Sequence, residues 1–259
     1  MRIFESHAHY DDPKFDSDRE DVLNKIYMSG VEKIISAGYS LEGSKKGLDL
    51  AKKHDFIYTT MGISPNDINE NWEQELEEIN TILQNDTSKK IVAIGEIGLD
   101  YHYSDEKEKQ KEVFVKQIEL ANKYNLPIVV HTREAVMDTL QILKEHTVNK
   151  KGELHCCPFN RELVKEALKL GFYISFSGTC TFKNAKNAEE IVKMVPDDRF
   201  LIETDSPYLA PEPVRGTRND SRNLVYIIEK IAEFKEKEKS EIADLSYKNA
   251  VRFFEIWLF

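Results

Sequence analysis

The sequence predicts an α/β fold, a single parallel (β/α)8 barrel of the TIM type with an extra C-terminal helix. Three observations lead there. Short runs rich in Ile, Val and Phe alternate with longer amphipathic stretches from one end of the chain to the other. Eight such runs occur, each followed by a helical pattern, which suits a closed parallel barrel in number and length. The chain has 259 residues, close to the ~250 usual for that fold.

Taken in order, the first strand is expected at residues 3–5, followed by a helix at 18–29 and a second strand at 33–36, KIIS. A helix at 41–53 leads to IYTTM at 57–61, and one at 72–84 to IVAIGEI at 91–97. The helix at 106–124 precedes PIVVH at 127–131, and the helix at 134–146 precedes ELHC at 153–156. The last third repeats the pattern with a helix at 161–170, YISF at 173–176, a helix at 187–194, FLIET at 200–204 and a helix at 222–234. A final helix is expected at 240–257, with Ser240 and Asp244 near its start. No linker, repeat or low-complexity segment divides residues 1–259, so one domain is expected. The rival doubly wound sheet lacks its glycine-rich phosphate loop after the first strand.

Composition narrows the function. Hydrophobic residues make up 41%, enough for a sizeable core, and no apolar run approaches the roughly 20 residues that span a bilayer. The start, MRIFESHAHY, lacks the apolar stretch of a signal peptide, and a cytoplasmic location is expected. Cys156, Cys157 and Cys180 form neither a disulfide framework nor a zinc knuckle and are expected as reduced thiols. The net charge of −10, from 46 acidic and 36 basic residues, argues against broad coating of duplex DNA. It leaves room for a small basic mouth. Mixed-sign stretches at 105–111 and 233–241 are expected on solvated helix faces.

The chemistry is carried by histidines and carboxylates at strand ends. His7 and His9 close the first strand, and residues two apart on an extended chain point the same way. Glu96 ends the fourth run, His131 the fifth and His155 the sixth, while Asp205 follows the eighth. In a parallel barrel the carboxyl ends of all strands share one face, where barrel enzymes keep their active sites. Four imidazoles and two carboxylates suit zinc, manganese or iron better than calcium, and leave magnesium open. Two divalent ions (Zn, Mn or Mg) sharing Glu96 as a bridge are expected. A bound divalent ion lowers the pKa of water and polarises a phosphoryl or carbonyl oxygen, with Asp205 placed to accept the proton. The absence of a Gly-x-Ser-x-Gly elbow argues against a serine nucleophile. His54, His102 and His146 are expected at the surface, His102 alone having a chance of lining the mouth.

In these segments the sequence resembles the TatD family of metal-dependent deoxyribonucleases, within the amidohydrolase-like barrels. The resemblance runs through His7-Ala-His9, the segment 93–101 around Glu96, and His131-Thr-Arg-Glu-Ala135. It continues through His155-Cys156, the segments 174–178 and 181–184, Glu203-Thr-Asp-Ser-Pro-Tyr-Leu209 and Pro213-Val-Arg-Gly216. It implies a TIM barrel, two divalent metals and phosphodiester hydrolysis on DNA. It also implies that His7, His9 and Asp205 hold one metal, His131 and His155 the other, with Glu96 between them. Three departures stand out. Gly62-Ile63-Ser64-Pro65-Asn66 replaces the family's Gly-x-His-Pro-His, Cys157-Pro158-Phe159 follows His155-Cys156 where Phe-Ser-Gly is usual, and Glu5 replaces the opening Asp.

Substrate contacts are expected from cations that follow strand ends: Arg133, Lys183, Arg215 and Arg218. A narrow mouth with few cations predicts DNA that is single-stranded or frayed at its ends, with no obligate protein partner and no membrane. Two alternatives use the same residues. One is an amide, ester or lactone hydrolase acting on a small metabolite, which the metal geometry serves equally. The other is a non-catalytic metal-binding scaffold, which has no need of an open metal site.

Overall fold

The computed structural model describes residues 1–256. Eight strands lie parallel and in chain order. They are β1 (Ile3–Ala8), β2 (Val31–Ser36), β3 (Ile57–Met61), β4 (Ile91–Asp100), β5 (Ile128–Arg133), β6 (Gly152–Leu154), β7 (Tyr173–Phe176) and β8 (Phe200–Ile202). Between and after them run α1 (Arg19–Met28), α2 (Leu41–Lys53), α3 (Trp72–Asn85), α4 (Lys107–Tyr124), α5 (Val136–Glu145), α6 (Arg161–Lys169), α7 (Ala188–Met194), α8 (Leu224–Lys235) and α9 (Lys239–Phe253). The expected (β/α)8 barrel with its extra C-terminal helix is the fold observed. Among the described residues no helix is long and apolar enough to cross a membrane.

Each strand contributes to a buried layer against the surrounding helices, as with Ile94, Ile97 and Val130 against Phe114 and Ile118. A second cluster gathers Phe4, Val92, Val129, Tyr173 and Leu201, near the strand starts, under Tyr247, Phe253 and Phe254 of the last helix and the turn after it. Phe4 stacks on Phe254 with centroids 5.9 Å apart. The final helix therefore covers the amino-terminal end of the barrel and leaves the carboxyl end open. It stops at Phe253, short of the expected 257, and Trp257 lies outside the described residues.

The sheet closes where β8 meets β1. Asp205 N–H donates to the His7 carbonyl (3.0 Å) and His9 N–H to the Ser206 carbonyl (2.7 Å). The wholly buried Glu5 carboxylate fastens the same seam, accepting from Thr204 N–H (2.8 Å), Thr204 Oγ (2.6 Å) and His7 N–H (3.3 Å).

Strand lengths differ from expectation at the site end. β4 runs on to Asp100 and β5 to Arg133, because Gly98, Leu99 and Asp100 pair with His131, Thr132 and Arg133. β6 and β8 stop early, where Cys156 (φ 43°) and Asp205 (φ 57°) turn the chain into the left-handed region. The long β4–β5 ladder requires glycine at 98, where φ is +137° and a Cβ would fall on the His131 carbonyl oxygen. Gly216 shares a positive φ (+85°) but has open space around it. Gly216→Ala should therefore cost about 1 kcal/mol of stability, the left-handed penalty alone. Gly98→Ala should cost roughly 3 kcal/mol or more, since backbone must move as well. Urea midpoints of the two variants measure this, and equal losses would refute the close-approach argument.

Candidate metal centre

Ligand-type side chains from five strands converge at the open end. His7 is fully buried and His9 nearly so, at 8% exposure. Their Nε2 atoms lie 3.3 Å apart. Asp205 Oδ1 approaches His9 Nε2 at 3.2 Å and His7 Nε2 at 3.7 Å. From the opposite side Glu96 divides its carboxylate. Oε2 lies 3.4 Å from His7 Nε2 and 3.9 Å from His9 Nε2. Oε1 lies 2.9 Å from His131 Nδ1 and 3.5 Å from His155 Nε2, with those two nitrogens 3.1 Å from each other. Ligands about 2.1 Å from a tetrahedral ion stand about 3.4 Å apart, so both nests have the span that a small divalent cation needs.

The outer nitrogens of the rings support that fit. His9 Nδ1 faces the Ala37 carbonyl at 3.2 Å. A carbonyl only accepts, so Nδ1 carries a proton and Nε2 is the nitrogen left to bind a metal once its own proton is displaced. His131 Nε2 meets Asp100 Oδ2 at 3.0 Å, which leaves Nδ1 facing Glu96. His155 Nδ1 faces Glu203 Oε1 at 3.4 Å, long for a hydrogen bond. Metal-binding imidazoles are held in this way by carboxylates and carbonyls behind them.

The charges tell the same story. Burial opposes ionisation of Glu96, but His155 and the bonds from His131, His155 and His7 outweigh it and hold its pKa well below the ordinary value. Burial likewise opposes the charge on His9, yet Asp205 lifts its pKa to about 9. His155 is raised well above its ordinary value against burial, first by Glu96 and then by Glu203. Fully buried His7 goes the other way, lowered by burial and by His155. Protons on the imidazoles thus balance the carboxylates, in the place where cations would supply that charge.

Several participants are not evident from strand-end counting. Asp100 accepts from His131, from Asn66 Nδ2 (3.1 Å) and from the His102 backbone N–H (2.9 Å). Burial opposes its charge, but the bonds from His131 and Asn66 hold its pKa down at about 2. Glu203 accepts from Cys156 N–H (2.8 Å) beneath His155. Glu153 is wholly buried with neither carboxylate oxygen hydrogen-bonded. Burial, then Glu203, push its pKa well above the ordinary value, so it is neutral. A signal for these residues existed: Glu5, Glu153 and Glu203 each precede a site residue by two positions.

The site opens into a cavity of about 1060 Å³ lined by His9, Glu96, His131, His155 and Asp205 together with Tyr39, Tyr103, Lys109, Arg133, Phe159 and Tyr208. Of the four expected substrate cations, Arg133 lines it, whereas Lys183, Arg215 and Arg218 do not. Arg215 stacks over Phe182 at 3.9 Å, and Arg218 is paired with Asp18 at 2.6 Å. Lys183 is exposed. His102 stays outside the lining, bonded to Glu134 at 2.8 Å. His54, expected at the surface, is mostly covered, packed on Phe56 and 3.3 Å from Glu20.

The comparisons agree with this geometry. The family model described as TatD related DNase matches residues 4–255. The chain belongs to the TatD family. It is 41% identical over 256 residues to the uncharacterized metal-dependent hydrolase YabD of Bacillus subtilis, covering 98% of this chain and 99% of YabD. The uncharacterized metal-dependent hydrolase YcfH of Escherichia coli K12 is 38% identical, with 99% of this chain and 97% of YcfH covered. Among solved structures, the E. coli TatD homologue YjjV superposes with a TM-score of 0.91 at 27% identity, over 98% of each chain. A TatD family hydrolase from Entamoeba histolytica gives 0.88 at 25%, again over 98% of each chain. This TatD protein is thus a metal-dependent hydrolase. Asp100→Asn should keep the fold and weaken divalent metal binding by roughly 10- to 100-fold, because His131 loses the charge that orients it. Competition against a chelating dye measures this, and an unchanged affinity would contradict that role for Asp100.

Proposed function

We propose that this TatD protein is a two-metal deoxyribonuclease that cleaves phosphodiester bonds of single-stranded or frayed DNA. The observation that carries the reading is the divided Glu96 carboxylate, with one oxygen toward each nest of imidazoles. His7, His9, Asp205 and Glu96 Oε2 would hold one divalent ion, and His131, His155 and Glu96 Oε1 the other. The donor set suits Zn or Mn and leaves Mg open. When bound, such ions acidify water and polarise a phosphoryl oxygen. Asp205 turns Oδ1 toward the imidazoles and lines the cavity, so its carboxylate is the group that accepts the proton there. Glu96 fixes the separation of the two nests. Arg133 on the cavity wall is the cation that meets a phosphate beside the scissile one. Lys183 and Arg215 would touch a strand only beyond the rim, and Arg218 is already paired with Asp18. The three free cysteines suit a reducing, cytoplasmic setting.

The family's description as a DNase supports the phosphodiester reading. A recessed site favours a strand end over intact duplex, because the scissile phosphate must descend to the ligands. A second reading, an amide, ester or lactone hydrolase, draws on Asp12 and Asp67, which line the same cavity and repel phosphates.

Glu96→Ala should lower occupancy of both metal positions together. Elemental analysis of protein prepared in excess metal reads this, and a stoichiometry of one that the variant leaves unchanged would sink the bridge. Asp205→Asn should retain the wild-type circular dichroism and lose activity by about 10²-fold or more, the contribution of a positioned proton acceptor. End-labelled single- and double-stranded DNA, with each metal restored in turn to stripped enzyme, provides the assay. If no DNA is cut while an amide or lactone is turned over, the second reading replaces the first.

A further inference from the structure

Tyr103 is 68% exposed, unusual for a large aromatic ring, and lines the same cavity as Glu96 and His131. It is not a loose side chain. The Arg133 guanidinium lies 4.8 Å from its ring centroid, and the His102 ring meets it edge-on at 4.7 Å and 85°. His102 is held in turn by Glu134, so that carboxylate faces His102 at 2.8 Å. The backbone fixes the pair to each other, since Tyr101 N–H donates to the Arg133 carbonyl (3.0 Å) and Asp100 stands opposite Arg133 in the β4–β5 ladder. It also fixes them to the reacting centre. One carboxylate, Asp100, accepts both the His131 ring and the His102 backbone N–H. A ring held beside a cation, at a set distance from the site, offers a flat π-face next to an anion-binding group.

Resting on the deoxyribonuclease reading, we propose that Tyr103 and Arg133 form a stacking platform for a nucleobase of single-stranded DNA next to the scissile phosphate. The ring takes the base and the guanidinium takes the adjoining phosphate, which gives affinity without sequence preference. Tyr103 acts here by binding substrate, not by chemistry.

The test compares wild-type protein, Tyr103→Ala and Tyr103→Phe on a single-stranded oligothymidylate and on an abasic strand of equal length. Tyr103→Ala should raise KM on the base-bearing strand about tenfold, as loss of one stacked base does, with kcat held. Tyr103→Phe should keep the wild-type KM, and on the abasic strand all three proteins should agree. An unchanged KM for Tyr103→Ala on oligothymidylate overturns the platform while leaving the nuclease reading in place. A rise of the same size on the abasic strand also overturns it, showing that the loop was merely disturbed. Fluorescence anisotropy of labelled oligothymidylate in chelator separates the two proposals. Binding in chelator that depends on Tyr103, with no cleavage when each metal is restored, upholds the platform and removes the nuclease reading, whereas neither binding in chelator nor cleavage with metal removes both.

Discussion

Everything at the carboxyl end of this barrel depends on the closing of the sheet between its first and last strands. His7 and His9 enter at the start of the chain and Asp205 some two hundred residues later, yet they occupy one nest. The joining bonds are made by the site residues themselves, through the His7 carbonyl, the His9 amide and the Asp205 amide. Glu5 adds a buried carboxylate that accepts from both strands. Backbone donors buried at such a seam must find acceptors or cost about 1–3 kcal/mol each. Closure of the sheet and assembly of this nest therefore use the same residues, and the hydrophobic layers position strands whose ends these polar contacts join.

Once closed, the end of the barrel concentrates charge that apolar packing alone would not tolerate. A buried carboxylate is costly unless it is paired and hydrogen-bonded. Glu96 meets that condition by standing among four imidazoles, and Asp205 by facing two. Glu153 has no such partner and is driven neutral. The contrast separates two kinds of buried acid: those aimed at the imidazole nests keep their charge, whereas burial pushes the pKa of Glu153 well above the ordinary value and that of Glu5 to about 8. Cations in the nests would take over the charge that protons now supply on His9 and His155.

The barrel was legible because its signals are periodic and repeated. Apolar runs of three to seven residues, each followed by an amphipathic stretch, survive local errors of one or two residues. The convergence of the six ligand-type residues was legible for a related reason. Each stands at a strand end, and parallel topology converts that position into a shared face. Strand lengths were less legible, since the extension of β4 depends on its pairing with β5 and the early stop of β6 on a left-handed residue at Cys156. The cations were the hardest to place. Following a strand end puts Arg133, Lys183, Arg215 and Arg218 on the same side of the barrel, but only tertiary contacts decide which reach the cavity. Asp18 claims Arg218, a pairing across 200 residues that no local pattern announces.

The departures from the family pattern also acquire a physical meaning in three dimensions. Ser64 and Asn66 stand where the family has histidines, and both line the cavity. Ser64 Oγ donates to Asp67 (2.6 Å), and Asn66 Nδ2 donates to Asp100 (3.1 Å). Neither residue can carry a proton charge at neutral pH, so this part of the wall contributes hydrogen bonds and no positive potential. Asn66 instead strengthens the carboxylate that orients His131 and anchors the loop bearing Tyr103. Under the deoxyribonuclease reading, affinity for an anionic strand would come instead from the neighbouring wall, where β4 and β5 run on past the sheet. That is where Arg133 and Tyr103 are held together, and the added length of those two strands is what brings them to the rim.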